Sequence, residues 1–176
     1  MKTIIFKSII IAALTSIFSC RGERWDDDLT LPKQDYTGNQ LRIDGYYYRV
    51  TDNNSYNIYF YYRNGTVLHA GFVDFDNLAA SEQEFMNGSY YSFAKKYKYH
   101  WGRFIINGTT IKDELWKPNT GPFEAYTTEG IILNDTTFKM TRQWRSCKPK
   151  KDTEFEEVYQ FKKFSPKPDS TNSYTN

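Results

Sequence analysis

Residues 41–164 alternate between apolar and polar positions in short runs, and Asn-Gly or Asn-Asp pairs separate several of these runs. Alternation with a period of two is typical of strands that bury one face, and Asn-Gly supplies the positive φ values of a tight hairpin turn. We predict hairpin turns at Asn64-Gly65, Asn107-Gly108 and Asn134-Asp135. The pattern predicts eight strands, at residues 41–50, 56–63, 66–74, 98–107, 109–116, 122–133, 136–145 and 155–164.

The segment between the third and fourth predicted strands has a different pattern. Asn77 is a suitable cap for a short helix over Leu78 to Met86, and Asn87-Gly88 supplies a left-handed stop. We expect either a short helix that packs over one end of the sheet as a lid or a loop with a single helical turn.

Eight consecutive strands with one apolar face each can close on themselves, which removes exposed strand edges. Aromatic residues make up 18% of the chain, with 15 Tyr and 13 Phe, and they favour the half-buried surface of a sheet. Because consecutive hairpins dominate, we predict an all-β fold, an up-and-down eight-stranded antiparallel β-barrel with one short helix, over residues 41–164. A two-sheet β-sandwich is the alternative.

The predicted turns also fix which residues face each other across each hairpin. In this register a few polar residues share the apolar face that becomes the barrel interior. The predicted interior residues are Tyr62, His69, His100, Asp113, Glu129, Arg142 and Trp144. A charge in a barrel interior is costly unless it is paired or solvated. We therefore expect Arg142 to form a salt bridge with Glu129, to anchor the acidic head group of a ligand, or to lie near a solvated mouth.

The first twenty residues have the pattern of an export signal. Lys2 and Lys7 precede an apolar run over residues 8–19 that is too short for a comfortable bilayer span. Residues 1–19 are therefore predicted to be a signal peptide. The run ends in Ile17-Phe18-Ser19-Cys20, which resembles the lipobox of bacterial lipoproteins, and the resemblance implies lipidation of Cys20. The alternative is an ordinary signal peptide with an incidental cysteine.

The residues after Cys20 bear on location. Arg21 follows the cysteine instead of Asp, so the residue that resembles an inner-membrane retention signal is absent and we expect the outer membrane. The acidic cluster at residues 23–28 resembles the signal that exports lipoproteins of the Bacteroidetes to the cell surface, although solvated linkers are often acidic too. We expect residues 20–40 to be a lipidated N-terminus and flexible stalk, and the Pro-rich tail, residues 165–176, to be disordered.

Charge and motif content narrow the function classes. Without residues 1–19 the chain has 23 − 2 = 21 basic and 21 acidic residues, so it lacks the basic field of a nucleic-acid-binding protein. His69 and His100 are the only histidines, and no metal, nucleophile or phosphate-loop motif is evident. With Cys20 carrying a lipid, Cys147 is predicted to be an unpaired thiol. We expect no metal, no cofactor and no enzymatic activity.

Several motifs of the predicted barrel resemble those of the lipocalin-like lipoproteins of Bacteroidetes. They are residues 99–108 (YHWGRFIING), Ile111 with Leu115-Trp116, residues 126–138 (YTTEGIILNDTTF), and Tyr159-Gln160-Phe161 followed by Phe164. The resemblance covers about two-thirds of the mature chain and implies a calycin-type barrel in a binding or structural surface protein. The Gly-x-Trp motif of true lipocalins is missing, since Tyr46-Tyr47 follows Gly45, so no known ligand is implied.

Two functions follow from these expectations. The first is a surface lipoprotein whose lipocalin-like domain binds a small hydrophobic or amphipathic ligand. The alternative is a non-enzymatic scaffold or partner-binding subunit of an outer-membrane complex, whose barrel is packed shut. Asp135-Thr136-Thr137 and Asp169-Ser170-Thr171 resemble the O-glycosylation sites of Bacteroidetes, which implies modification at Thr136 and Ser170.

Overall fold

The structure is a computed structural model that describes residues 25–149 and 151–175. Eight strands form one closed barrel in which each strand pairs antiparallel with the next, and the last pairs with the first. The predicted up-and-down barrel is therefore confirmed. The strands are β1 (Gly45–Val50), β2 (Ser55–Tyr61), β3 (Thr66–Asp74), β4 (Trp101–Asn107), β5 (Thr110–Lys117), β6 (Glu124–Asn134), β7 (Thr137–Arg145) and β8 (Asp152–Lys163).

The connection between β3 and β4 is helical, as one of the two expectations had it. A 3-10 turn over Phe75–Asn77 leads into α1 (Leu78–Asn87), which ends at Gly88 in the left-handed conformation, with φ of 79°. A second helix that the sequence did not predict, α2 (Ser89–Ala94), follows at once. No helix among the described residues is both long and apolar enough to cross a bilayer.

In the β4–β5 hairpin the turn lies one residue later than predicted, which changes the pairing of the two strands. Asn107 pairs with Thr110, so Gly108 and the residue after it form the turn instead of Asn107-Gly108. Gly108 has a φ of 61°, in the left-handed region that glycine tolerates best. This shift changes the facing partners in the hairpin by two residues, and it leaves Phe104 and Asp113 on the same face.

Bulges have a larger effect on the faces, because one extra residue turns every later side chain to the other side. Between β6 and β7, Gly130 pairs with Met140, whereas Glu129 pairs with Arg142. Met140 is buried and Arg142 is exposed. A bulge at Ala70 in β3 has the same effect on the β2–β3 pair, because Ile58 pairs with Gly71 and Tyr59 pairs with His69.

Apolar side chains form two clusters, one on each side of the barrel wall. The interior cluster contains Tyr36, Leu41, Tyr47, Tyr61, Val67, Phe104, Ile111, Leu115, Ile132, Phe138, Met140 and Tyr159. The second cluster lies outside β1 to β3, where the helices and the C-terminal residues cover it. It contains Tyr46, Ile58, Phe60, Tyr62, Leu68, Ala70, Val73, Phe85, Ala94, Trp101 and Phe164.

The segment before β1 is packed against the barrel, so the expectation of a flexible stalk is wrong for residues 25–40. Tyr36 donates its N–H to Arg63 O at 2.7 Å, and Arg42 donates its N–H to Asp135 O at 2.9 Å. Residues 63 and 135 belong to turns at the same end of the barrel, so the segment crosses that end. We call this end of the barrel its base. The buried side chains of Tyr36 and Leu41 close the base from within.

The C-terminal residues are ordered too, which contradicts the expected disorder of the tail. Tyr62 donates its hydroxyl hydrogen to Pro168 O at 2.9 Å, and Tyr174 donates to Lys96 O at 2.9 Å. Thr175 is 1% exposed. The Pro-rich composition was therefore misleading, because the tail gains hydrogen bonds and apolar contacts from the outer cluster.

Cys147 lies in the β7–β8 loop and is disulfide-bonded, which contradicts the prediction of an unpaired thiol. Cys20 and the predicted signal peptide lie outside the described residues. The chain has two cysteines, so a disulfide within one chain and a thioether lipid on Cys20 exclude each other.

Candidate ligand-binding site

The half of the barrel opposite the base encloses a cavity of about 570 Å³. Its mouth opens between the β1–β2, β3–β4, β5–β6 and β7–β8 connections. The apolar and aromatic part of its wall consists of Tyr59, Tyr61, Phe72, Tyr99, Leu115, Trp116, Tyr126, Met140, Phe155 and Tyr159. The polar part consists of Arg49, Asn57, His69, His100, Asp113, Lys117, Thr128, Gln143 and Glu157.

Aromatic packing separates the cavity from the filled base. The ring of Phe138 stacks on Tyr159 with centroids 5.1 Å apart, and Tyr61 meets Phe104 edge to face at 4.9 Å. Phe138 is 0% exposed, and Tyr47 contacts it from the base at 5.0 Å. Such pairs contribute about 0.5–1.5 kcal/mol beyond their burial, so the floor of the cavity is rigid.

A chain of hydrogen bonds runs along one wall, across β3, β2 and β8 to β1. His69 Nε2 lies 2.7 Å from Asn57 Oδ1, and Asn57 Nδ2 donates to the Tyr159 hydroxyl at 3.2 Å. That hydroxyl donates to Glu157 Oε2 at 3.0 Å, and Arg49 pairs with Glu157 at 2.9 Å. Because an amide oxygen only accepts, Nε2 carries the hydrogen of His69. Burial lowers the pKa of His69 to about 3, so this imidazole is neutral.

Asp113 is a buried carboxyl on β5 at the floor of the cavity. It is 3% exposed, and the Tyr61 hydroxyl donates to its Oδ2 at 2.9 Å. Burial raises the pKa of Asp113 to about 7, although the hydrogen bonds from Tyr61 and Thr128 act in the opposite direction. Near neutral pH the group therefore exists as both the acid and the carboxylate, and it can accept or donate a hydrogen bond.

The mouth carries a lysine among aromatic rings. Lys117 Nζ donates to Gln143 Oε1 and lies 4.9 Å from the centre of the Tyr126 ring. Burial lowers the pKa of Lys117, against the opposite effects of Asp113 and Glu157. Phe72, at 65% exposure, extends the aromatic surface into solvent. The entrance thus combines a cation with apolar surface.

The structure brings three of the seven predicted site residues into this cavity. His69, His100 and Asp113 all line it. The shifted β4–β5 turn preserves the face of Asp113. His100 reaches the cavity from the 3-10 turn before β4 and not from a strand.

The other four predicted residues lie outside the barrel. Tyr62 belongs to the outer cluster and hydrogen-bonds the tail. Glu129 and Arg142 form the predicted salt bridge at 3.0 Å, but on the outer surface, and the Arg142 guanidinium stacks on Trp144 at 4.8 Å. Irregular pairing between β6 and β7 accounts for the errors at Glu129, Arg142 and Trp144. Tyr62 was misplaced because the β2–β3 turn contains three residues instead of two. Arg142 therefore cannot anchor a ligand in the cavity.

Sequence reasoning missed several polar residues of the wall. They are Arg49, Asn57, Lys117, Thr128, Gln143 and Glu157. Phe155, Glu157 and Tyr159 occupy every second position of β8 and share one face, so the period of two contained the signal for that strand. Arg49 follows Tyr47 on β1 in the same way. Gln143 was not accessible to such reasoning, because the β7 bulge places it inward.

The two predicted glycosylation positions lie on the outer surface and are partly buried. Thr136 donates its hydroxyl hydrogen to Asn134 Oδ1 at 2.8 Å within the β6–β7 turn. Ser170 accepts a hydrogen bond from Asn64 Nδ2 at 3.1 Å. Both hydroxyls therefore take part in local hydrogen bonding, and their modification stays a prediction.

The site offers no obvious metal chemistry. Within residues 25–149 and 151–175, no group of three or more His, Cys, Asp or Glu side chains is arranged to hold a metal ion. Comparison with protein-family models, with curated proteins and with solved structures finds no match to this chain. The cavity and the sequence motifs are therefore the features from which a function can be inferred.

Proposed function

We propose that this chain is an outer-membrane lipoprotein, facing the cell exterior, whose lipocalin-like barrel holds a small amphipathic molecule. The observation that carries the proposal is the open cavity of about 570 Å³, whose wall combines aromatic side chains with nine polar residues. Ligand sites in proteins are typically concave, mostly apolar and about 300–1,000 Å³ in volume. The scaffold alternative requires a barrel that is packed shut, and the mouth half of this barrel is open.

The polar groups of the cavity suggest a ligand of mixed character. Lys117 and Arg49 supply positive charge, while Asp113 and Glu157 supply carboxyl groups, and Glu157 pairs with Arg49 at 2.9 Å. Aromatic side chains between them favour a flat apolar body. An amphipathic molecule meets both requirements better than a plain hydrocarbon does, because a hydrocarbon leaves the buried polar groups without partners.

A fluorescent amphiphile, 1-anilinonaphthalene-8-sulfonate, tests ligand binding directly. We expect saturable binding at one site on the folded domain, with increased dye fluorescence. Thr128→Phe places a large ring in the cavity and should weaken binding at least about tenfold, whereas Arg142→Ala on the outer face of the neighbouring strand should leave the affinity within about twofold. Equal binding by both variants, or no saturable binding, would contradict the proposed function.

The lipid anchor is supported by the leader and by the lipobox-like Ile17-Phe18-Ser19-Cys20. A disulfide and a thioether lipid on Cys20 exclude each other, so labelling of Cys20 decides between them. Metabolic labelling with a palmitate analogue should mark the wild type and Cys147→Ser but not Cys20→Ala. An unlabelled wild-type protein would refute the anchor.

Surface exposure depends on the acidic cluster after Cys20. Asp26 binds Lys98 at 2.7 Å and Asp27 binds Arg145 at 2.8 Å, so the cluster also fastens the N-terminal segment to the barrel. Proteinase K added to intact cells should digest the domain if it faces outward. A control protein in the periplasm should survive the same treatment, and survival of both would place the domain inside.

A further inference from the structure

The first described residues of the N-terminal segment are fastened to the barrel at its mouth. Asp27 donates its N–H to Phe123 O at 2.9 Å in the β5–β6 connection, and its side chain pairs with Arg145 at the end of β7. Asp26 accepts the N–H of Phe123 at 2.8 Å and pairs with Lys98 of the β3–β4 connection at 2.7 Å. Both connections border the mouth, so residues 25–28 lie there.

From the mouth the segment runs along the outside of the wall to the base. Glu114 on β5 accepts the N–H groups of Thr30 and Leu31 at 2.7 Å. Farther along the chain, Tyr36 donates its N–H to Arg63 O at the base. The part of the chain that precedes Trp25 is therefore attached to the domain at the mouth end and not at the base.

The predicted lipid anchor lies close to this attachment point in the chain. Cys20 is five residues before Trp25. Five residues span at most about 18 Å, even when the backbone is fully extended. Acyl chains on Cys20 are buried in the bilayer, so an anchor there keeps the mouth end of the barrel near the lipid surface. The base then lies farther from the membrane.

Exposed aromatic side chains are concentrated at the same end of the barrel. Among residues 25–149 and 151–175, all of them belong to the N-terminal segment, to the mouth end of β3 or to the β3–β4 connection. We call these side chains the aromatic rim: Trp25, Phe72, Phe75, Phe93 and Tyr97. At the base end of β6 the large exposed side chains are instead aliphatic, Ile131 and Leu133.

Contacts connect the aromatic rim to the opening of the cavity. Phe72 lines the cavity itself. Tyr97 stacks on Tyr99, a residue of the cavity wall, with centroids 5.5 Å apart, and Tyr99 lies 6.1 Å from Phe123 in the β5–β6 connection. The N–H of Phe75 donates to the β1–β2 connection at 3.1 Å. The rim thus borders the mouth and is continuous with the aromatic wall inside it.

We propose that the aromatic rim contacts the lipid surface and that the mouth of the cavity faces the bilayer that carries the anchor. The inference rests on the proposed anchored, ligand-binding function and adds the partner of the mouth, a lipid bilayer with which the cavity exchanges its amphipathic ligand. Exposed apolar surface that is gathered in one place marks interaction sites, and aromatic rings favour the interface between headgroups and acyl chains. A ligand that enters from the bilayer avoids transfer through water.

A fluorophore at either end of the barrel tests this orientation in the full lipidated protein. Tyr97→Cys places the label at the rim and Leu133→Cys places it at the base. Each is made with Cys147→Ser, so that nitrobenzoxadiazole attaches at one thiol. The protein is reconstituted in phosphatidylcholine vesicles whose acyl chains carry a nitroxide quencher. Quenching at residue 97 should exceed that at residue 133 by about threefold or more, because the nitroxide must approach the label closely.

Equal quenching at the two positions, or stronger quenching at residue 133, would overturn the inference. Binding of anilinonaphthalene sulfonate in solution does not depend on orientation, so a protein that gives this result and still binds the dye keeps the proposed cavity function. If metabolic labelling shows no lipid on Cys20, the anchor fails and the inference fails with it.

The contribution of the rim itself is measured without the anchor. Cys20→Ala protein lacks the acyl chains, so its sedimentation with phosphatidylcholine vesicles reports on the surface of the barrel. Adding Trp25→Ser and Tyr97→Ser should lower the partition coefficient about tenfold, whereas adding Ile131→Ser and Leu133→Ser at the base should change it by less than about twofold.

Both pairs of substitutions lie outside the cavity wall. Dye affinity in solution should therefore be unchanged in each, and thermal melting checks that each protein is folded. Equal losses of vesicle binding in the two folded double variants would refute the contact between the rim and the lipid.

Discussion

At its base the barrel interior is filled by Tyr47, Phe104 and Phe138, each at most 1% exposed, whereas at the mouth the same eight strands enclose a cavity of about 570 Å³. The base is closed by residues 36–43, which cross it between two turns. The mouth keeps charged and hydrogen-bonding side chains along its walls. One closed sheet thus concentrates aromatic packing at one end and leaves an open cavity at the other.

The largest expected effect is at the boundary between the two regions. Phe138→Ala removes a ring that contacts Tyr47, Tyr61 and Tyr159, and it should lower the free energy of unfolding by about 3–5 kcal/mol. Phe72→Ala removes an equally large ring at the mouth, where it is 65% exposed, and should cost less than about 1 kcal/mol. Urea denaturation measures both. Similar losses of unfolding free energy in the two variants would mean that the base does not contribute more to stability than the mouth.

The mouth is stabilised from outside, by the N-terminal segment. Asp27, 3% exposed, accepts hydrogen bonds from Arg145 Nε at 2.8 Å and from Arg145 Nη2 at 2.9 Å. Arg145→Ala leaves this carboxylate buried without its main partner and should cost about 3 kcal/mol of unfolding free energy.

Arg142→Ala provides the matched control for this ion pair, three residues away on the same strand. Its partner Glu129 is on the outer surface, and the Arg142 side chain is 45% exposed. Exposed pairs contribute about 0–1 kcal/mol, so the loss should be below about 1 kcal/mol. If chemical denaturation shows equal losses of unfolding free energy for Arg145→Ala and Arg142→Ala, the N-terminal segment does not stabilise the mouth through Asp27.

The pH dependence of stability should distinguish two buried groups in the cavity wall, Asp113 and His69. The pKa of Asp113 rises from 3.8 to about 7 on folding, so the native state binds more protons and stability falls as pH increases between these values. The pKa of His69 falls from 6.5 to about 3, so its contribution rises with pH over nearly the same range. The two contributions oppose each other in the wild type.

Asp113→Asn removes the Asp113 contribution to the pH dependence of stability and leaves that of His69. Between pH 4 and pH 6.5 the unfolding free energy of this variant should rise relative to wild type by about 2 kcal/mol, a figure discounted for the open cavity. His69→Gln should show the opposite slope. Melting curves at a series of pH values test both signs, and parallel curves for all three proteins would mean that neither group titrates differently on folding.

The sequence predicted the barrel well because its signals are local. Alternation and Asn-Gly turns act over a few residues, so all eight strands were found, and His69 and Asp113 were assigned to the interior. Bulges were not predictable, because an extra residue in β7 is selected by packing across three strands. That is why Arg142 and Trp144 were placed on the wrong face.

The terminal segments were wrongly predicted to be flexible or disordered for a different reason. They lack periodicity, and single contacts hold them: Glu114, 0% exposed on the outer face of β5, accepts the N–H groups of Thr30 and Leu31 at 2.7 Å. From sequence alone Glu114 is an ordinary outward-facing strand residue. Such a contact joins residues more than eighty positions apart, which local patterns do not encode.

The smallest expected effects compare two glycines in left-handed backbone, one at each end of the barrel. Gly71 in the cavity wall has a φ of 85° and Gly108 in a turn at the base a φ of 61°, and an added Cβ meets no atom within 4 Å at either position. Replacement by Ala should therefore cost only backbone strain, about 1–2 kcal/mol in both cases. Dye affinity should change only in Gly71→Ala, by less than about threefold, because a methyl group takes up little of the cavity. A Gly108→Ala variant with altered dye binding would show that the base and the mouth are coupled, since its methyl group lies outside the cavity.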